Sequence, residues 1–203
     1  MKIIAIGRNY SEHAKELNNP IPDQPVLFLK PDTAVLKNNK PFYHPSFSND
    51  VHYEIEIVLK ISKEGKFIGE KFANKYYDEI GLGIDFTARD LQAQQKAKGL
   101  PWEIAKAFDH SAPISEFIEK SELGDLRNLD FKLLINDELR QQGNSAQMLH
   151  HFEELICYAS KYFTLKKGDL IFTGTPAGVA KISIGDRLIG YLAGHELLNF
   201  EIK

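Results

Sequence analysis

The sequence predicts an α+β fold that is mainly β with a few short helices, and three observations carry that reading. Strand-type runs recur from end to end, at residues 2–6, 26–29, 52–60, 81–85, 131–135, 170–172 and 187–192. The helical patterns between them are brief. No repeat, low-complexity tract or clear linker divides the 203 residues, and 43% hydrophobic residues suffice for a sizeable core, so one domain over 1–203 is expected.

Residues 2–6 are apolar and end at Gly7, a strand delivering the chain to a turn. A short helix is expected from Ser11 through Leu17, closed by Asn18, Asn19 and Pro20. His13 and Glu16, three apart, share a face of it. A carboxylate within reach of an imidazole fixes its tautomer and raises its basicity, the arrangement of a general base that activates water; an exposed helix with ordinary charge pairs has the same pattern. So short a helix between Gly and Pro also suits a mobile lid. Residues 26–31 read as a buried strand stopped by Pro31, and a polar loop with Asn38, Asn39 and Pro41 follows.

In residues 52–60, alternation sends Ile55, Ile57 and Leu59 one way and Glu54, Glu56 and Val58 the other. Same-face neighbours lie roughly 6.5–7 Å apart at Cα, so two Glu side chains can converge on one cation; a solvated strand face with two acids fits the pattern too. Residues 64–69 read as a turn and 71–80 as helical in composition, both scaffold. In Gly81-Leu82-Gly83-Ile84-Asp85 the two glycines leave one strand face bare up to Asp85, a mark of close approach by a ligand or another backbone. Thr87-Ala88-Arg89-Asp90 matches a capping box opening a helix that ends near Gly99. Arg89 and Gln92 on that helix suit a substrate carboxylate, or are ordinary surface residues. Lys106 stands in apolar and aromatic company within residues 100–109, either snorkelling to solvent or kept in a pocket.

Residues 131–135 form a strand, Asn136-Asp137 a turn, and residues 138–141 its hairpin partner. Ser145 is expected to cap a helix in which Met148, Phe152, Ile156 and Ala159 form a core stripe, and adjacent His150 and His151 receive no metal role. In the turn at residues 173–178, Thr175 with its neighbouring backbone N–H groups is a candidate anion cradle; without a following Gly-Lys-Ser or Gly-Lys-Thr it is no phosphate loop. Leu198, Phe200 and Ile202 close the chain on one buried face.

Composition excludes whole classes of function. A net charge of −3 with scattered Lys and Arg gives no patch for nucleic acid or an anionic membrane, which leaves small molecules as partners. The single cysteine, Cys157, excludes an internal disulfide and a cysteine-based zinc site, and is read as a core residue. No apolar run approaches the ~18 residues of a membrane span and no signal segment is evident, so a cytoplasmic location is expected. If Glu54, Glu56 and Asp85 meet at about 5 Å without a cation, each pair repels by roughly 3 kcal/mol at an effective dielectric near 20. A bound ion relieves that repulsion. All-oxygen ligation points to Mg²⁺ first, with Mn²⁺ and Ca²⁺ as alternatives, and open coordination positions suit a chelating 2-oxo acid.

These residues resemble the fumarylacetoacetate hydrolase superfamily, in particular its short acylpyruvase and oxaloacetate decarboxylase-like members. The resemblance spans nearly the whole chain. It rests on Gly7-Arg8-Asn9-Tyr10 with His13 and Glu16, on Tyr53-Glu54-Ile55-Glu56, on Asp85 in Gly83-Ile84-Asp85-Phe86-Thr87-Ala88-Arg89-Asp90, on residues 102–109 around Lys106, and on Thr173-Gly174-Thr175-Pro176. It implies a mixed β-roll of wrapped sheets with few helices, in a homodimer. It further implies Glu54, Glu56 and Asp85 as Mg²⁺ or Mn²⁺ ligands, a His13–Glu16 dyad on a lid, and Lys106 supporting an oxyanion or enolate. Arg8, Arg89, Gln92 and Thr175 would hold the substrate. The activity implied is carbon–carbon cleavage of 2,4-dioxo acids such as acetylpyruvate or fumarylpyruvate to pyruvate and a carboxylic acid, with oxaloacetate decarboxylation through the same enolate. Relatives sharing the triad are isomerases, so the alternative activity is isomerisation or tautomerisation of 2-hydroxy-dienoates or 2-oxo acids, and a non-catalytic 2-oxo acid binding protein is the reading from a different class.

Overall fold

The computed structural model describes residues 1–16 and 20–203, so the expected close of the first helix at Leu17, Asn18 and Asn19 lies outside the described residues. The first half of the chain forms β1 (Ile3–Gly7), α1 (Ser11–Glu16), β2 (Val26–Lys30), β3 (Val35–Leu36), β4 (Val51–Tyr53), β5 (Ile55–Ile61), α2 (Glu70–Ala73), β6 (Tyr77–Ile84) and β7 (Thr87–Ala88). Then come α3 (Arg89–Lys98), α4 (Glu103–Lys106), β8 (Ala112–Pro113), β9 (Ile118–Glu119), β10 (Asp130–Ile135), β11 (Glu138–Asn144) and α5 (Phe152–Tyr162). The chain finishes with β12 (Leu170–Phe172), β13 (Ala180–Lys181), β14 (Arg187–Leu192) and β15 (His195–Glu201). Mainly β with short helices is the class the sequence predicts.

A six-stranded sheet in the order β2-β1-β12-β5-β6-β9 carries the architecture, with β1 and β12 parallel and the other pairs antiparallel. An antiparallel sheet β11-β10-β14-β15 packs against it, and two small sheets, β13-β4-β7 and β3-β8, complete the wrap. Strand β5 is buried on both faces. Ile55, Ile57 and Leu59 enter the main core with Phe131, Leu133 and Leu198, whereas Val58 joins Ile3, Ala5, Leu170 and Phe172 in a second cluster. Each such side chain, fully buried, contributes about 1.5–3 kcal/mol of transfer free energy. Leu198, Phe200 and Ile202 are buried as expected. Asn136 and Asp137, with φ of 53° and 64°, make the expected hairpin turn. Among the described residues no helix is long and apolar enough to cross a membrane.

The alternation of the acidic segment holds, but the segment is two strands. At Glu54 the chain leaves the small β13-β4-β7 sheet for the six-stranded one. The backbone groups at this break are paired rather than stranded: Asp85 N donates to Glu54 O (2.8 Å), and Ile55 N donates to Gln141 Oε1 (2.9 Å).

Four further expectations are corrected. Of residues 71–80 only the first turn is helical, because Tyr77 and Ile80 are buried as part of β6. The capping box at Thr87 does not form: Thr87 Oγ1 donates to Asp85 O, and Asp90 accepts from Ser48 Oγ and Asn49 N instead. The helix itself does end at Gly99, in the left-handed region at φ 65°.

The helix expected from Ser145 is divided. Asn144, not Ser145, caps a single 3₁₀ turn with Gln147 reaching back. Asn9 then holds the chain extended, accepting from Leu149 N (2.8 Å) at its backbone carbonyl and from His150 N (2.9 Å) at Oδ1, before α5 begins at Phe152. Phe152, Ile156 and Ala159 keep the buried stripe, while Met148 is buried outside the helix. Finally, protein fills the bare face of β6. A Cβ on Gly83 would stand 2.5 Å from the Phe172 ring, and one on Gly81 would stand 2.8 Å from Ser115 Oγ.

Candidate metal centre

Three strand ends converge on one buried hollow. Glu54 sits at the break before β5, Glu56 projects from β5 beside it, and Asp85 follows β6, which pairs with β5 through Ile55–Ile84 and Glu56–Gly83. One carboxylate oxygen from each of the three lies within 4.8 Å of the others, and all three residues are buried. His13, Arg8, Arg89, Gln92, Lys106 and Thr175 line the same hollow, and Glu16 stands behind His13. Every residue singled out from the sequence is therefore in one place.

The charges are arranged unevenly. Glu54 accepts from Arg89 Nη2 at 2.6 Å and from Lys106 Nζ at 2.8 Å. Lys106 Nζ also donates to Asp85 Oδ2 at 2.7 Å and lies 5.2 Å from the Phe28 ring centroid, so it is kept in the pocket and does not snorkel. Lys30, fully buried, places Nζ 2.7 Å from Asp85 Oδ1 and donates to the carbonyl and hydroxyl of Ser111. Among the described residues Glu56 forms no ion pair, and its Oε2 accepts only from Gly174 N at 2.7 Å.

Proton affinities follow this pattern. Burial alone would raise the Glu54 pKa, but Lys106, Arg89 and His13 outweigh it and hold the carboxyl well below its ordinary value. Burial, with Asp85 and Glu54 adding repulsion, pushes Glu56 well above its ordinary value. For Lys106, burial is outweighed by Asp85 and Glu54, and its pKa rises. For Lys30, burial prevails and the pKa falls. The repulsion expected among three acids is thus offset by direct ion pairs at Glu54 and Asp85, and at Glu56 only by the more distant charge of Lys106.

The residues fit a hard divalent ion. All donors are oxygen, and among the described residues Glu56 forms no ion pair and buried Asp85 Oδ1 receives no well-aligned hydrogen bond despite its ion pair with Lys30. An ion bound at roughly 2.0–2.4 Å from each oxygen spans the observed spacing.

Around this centre, His13 Nδ1 lies 3.1 Å from Glu16 Oε2, and Glu16 Oε1 accepts from Gly178 N at 3.0 Å, which docks α1 onto the 173–178 loop. Arg89 Nη1 donates to Gln92 Oε1 (2.9 Å), and its buried Nε has no acceptor among the described residues. The anion cradle expected at Thr175 is corrected in part. The Gly174 N–H belongs to Glu56, and Thr175 Oγ1 accepts from Gln141 Nε2 (2.8 Å), leaving its own proton to donate.

Lys30 and Gln141 carry the site without having been singled out, and Asn9 entered the sequence reading only as part of Gly7-Arg8-Asn9-Tyr10. Lys30 did leave a sequence signal, a lysine closing an apolar strand just before Pro31. Gln141 left none. It reaches Ile55, Thr175 and Pro176 from a hairpin strand far along the chain.

Residues 2–199 match the family model described as fumarylacetoacetate (FAA) hydrolase C-terminal. The chain is 43% identical over 197 residues, 97% of its length and 90% of the relative's, to the oxaloacetate tautomerase YcgM of Escherichia coli K12. It is 43% identical over 185 residues, 91% of its length and 85% of the relative's, to a protein of Dictyostelium discoideum named mitochondrial oxaloacetate decarboxylase. Among solved structures it superposes on the Pseudomonas aeruginosa fumarylpyruvate hydrolase in complex with Mn²⁺ and pyruvate with a TM-score of 0.94 at 36% identity, covering 100% of this chain and 89% of that one.

Proposed function

The chain belongs to the fumarylacetoacetate hydrolase family, and from that membership we propose that it is a Mg²⁺- or Mn²⁺-dependent hydrolase of 2,4-dioxo acids. It would cleave acylpyruvates such as acetylpyruvate or fumarylpyruvate to pyruvate and a carboxylic acid, and decarboxylate oxaloacetate in the same hollow. The observation that carries the reading is the His13–Glu16 pair, 3.1 Å apart and facing the three carboxylates with Lys106 between two of them.

Glu54, Glu56 and Asp85 would hold the ion, which when bound supplies Lewis-acid polarisation of the substrate's carboxylate and 2-oxo oxygens. Arg89 Nε and the Gln92 amide hold the carboxylate, and Thr175 donates its hydroxyl proton. His13, its Nδ1 fixed by Glu16, takes a proton from water at Nε2. The water oxygen bonds to the distal carbonyl carbon. The carbon–carbon bond breaks, its electron pair stays with the pyruvate fragment as an enolate, and the proton on His13 passes to that fragment. Lys106 has one N–H left beyond its bonds to Glu54 and Asp85, and directs it at the developing negative charge, a contribution of about 3 kcal/mol.

A second reading has its own support. Identity of 43% to an oxaloacetate tautomerase favours proton transfer between carbon and oxygen of oxaloacetate, with His13 as the carrier and no bond cleavage. We propose in addition that two copies pair, as the family resemblance implies, to be checked by sedimentation equilibrium.

The deciding experiment follows pyruvate release from acetylpyruvate and from oxaloacetate, with Mg²⁺, with Mn²⁺ and with chelator, alongside the enol absorbance of oxaloacetate. Ion-dependent pyruvate release from acetylpyruvate supports the hydrolase; enol decay without pyruvate supports the tautomerase. Replacement His13→Ala is expected to lower turnover by about 10²–10⁴-fold while metal affinity stays, and an unchanged kcat removes the dyad from the mechanism.

A further inference from the structure

The hollow holds more positive charge than its carboxylates and the head of a 2-oxo acid use. Three carboxylates face five cations, Arg8, Lys30, Arg89, Lys96 and Lys106. Lys30, Arg89 and Lys106 are bonded to Glu54 or Asp85. Arg8 and Lys96 are not: among the described residues neither forms an ion pair or a side-chain hydrogen bond.

Both sit at the mouth of the hollow. Arg8 is half-buried in the turn after β1, and Lys96 is exposed on the third turn of α3 with Nζ 5.4 Å from the Trp102 ring centroid. Partial burial, and then the nearby charges of Arg8, Arg89 and Lys106, lower the Lys96 pKa, so these cations are near enough to repel one another. Two unpaired like charges at one mouth raise each other's energy until an anion sits between them.

We propose that Arg8 and Lys96 form a clamp for a second carboxylate, at the end of the substrate away from the 2-oxo acid group. The inference rests on the proposed function and narrows it to dicarboxylic 2-oxo acids. The rival destination for the distal group is an adjoining apolar groove of about 390 Å³ lined by Leu27, Leu29, Leu100, Trp102 and Phe163, which would favour an uncharged acyl chain.

Oxaloacetate and acetylpyruvate separate the two, because they are near-isosteric and differ at the distal carbonyl by a carboxylate oxygen in place of a methyl group. With Mn²⁺-loaded protein, kcat/KM is measured for both in the wild type and in Lys96→Gln, Arg8→Gln and Lys96→Arg. The oxaloacetate-to-acetylpyruvate ratio is expected to fall about tenfold in each Gln variant and to recover in Lys96→Arg. A ratio that holds within about twofold in both Gln variants overturns the clamp. So does a wild-type preference for a long-chain acylpyruvate over oxaloacetate, which would place the distal group in the groove. If the wild type consumes neither compound, the proposed reaction falls. The clamp is then read from calorimetric Kd values of the two unreacted compounds, where the same shift supports it and its absence overturns it.

Discussion

Among the described residues Glu56 is the one acid of the three that forms no ion pair, and pH therefore acts on it in the direction opposite to its neighbour Glu54. Its pKa is raised in the folded protein, so metal-free protein binds a proton there that the unfolded chain has already released. Stability of metal-free protein should fall as pH rises from the ordinary Glu value of about 4.3 toward the raised one. Glu54, with its pKa lowered, contributes stability that is present above the ordinary value and lost as pH falls below it. An ion must displace the proton of Glu56, so metal affinity should rise about tenfold per pH unit up to the raised pKa, with proton release seen by calorimetry in buffers of different ionisation heat. Glu56→Gln keeps an acceptor for Gly174 N–H. We expect it to raise the melting temperature of metal-free protein at neutral pH and to abolish stabilisation by Mn²⁺; an unaltered melting profile on both counts would refute the assignment. Lys30→Met strips Asp85 of one cation inside the protein and should cost about 3–5 kcal/mol in denaturant unfolding, with part restored by added ion. The site acids and His13 were legible from the sequence because their side-chain chemistry sits in recognisable strand and helix contexts. Lys30 passed unnoticed because a lysine at a strand end is ordinarily a solvated one, and only the fold reveals Ser111 and Asp85 around it.

At the level of elements, β5 and β6 set the distance between Glu56 and Asp85, and the closeness of Phe172 to Gly83 sets the height of β6. Gly83→Ala should force the Phe172 ring or the strand aside, cost about 1–3 kcal/mol, and weaken metal binding although residue 83 touches no ion. Combining it with Phe172→Leu makes room and should restore part of both losses; a single variant with wild-type metal affinity would show that strand height does not control the site. The alternation of Ile55, Ile57 and Leu59 was readable because burial imposes a period of two. The break at Glu54 was not, since the partner that satisfies Ile55 N is Gln141, 86 residues away. The division at residues 148–151 was hidden for the same reason: Asn9, 141 residues distant from His150, outcompetes the helix for its backbone N–H. Local composition marks which residues are buried; it carries no record of a hydrogen-bond partner brought in by topology.

Across the whole molecule, the hollow draws on the six-stranded sheet for Glu56, on the break between two sheets for Glu54, on β11 for Gln141, and on α4 for Lys106. Its geometry is therefore a property of the assembled core, and metal removal should leave that core intact. Chelator is expected to lower the melting temperature by several degrees, as loss of a bound ligand does, without changing the far-ultraviolet circular dichroism. Collapse of secondary structure on chelation would contradict this. The charge pairing supplies the reason, because Lys106 and Lys30 already stand where an unaccompanied pair of acids would push the strands apart. It also sets an expected order of events in the life of the protein. A chain that keeps its core without the ion would reach its finished shape before any ion arrives, and the choice among competing cations would be made in a completed, buried hollow. Cellular supply and exchange would then govern which ion resides there, and the site could be re-equipped without being refolded.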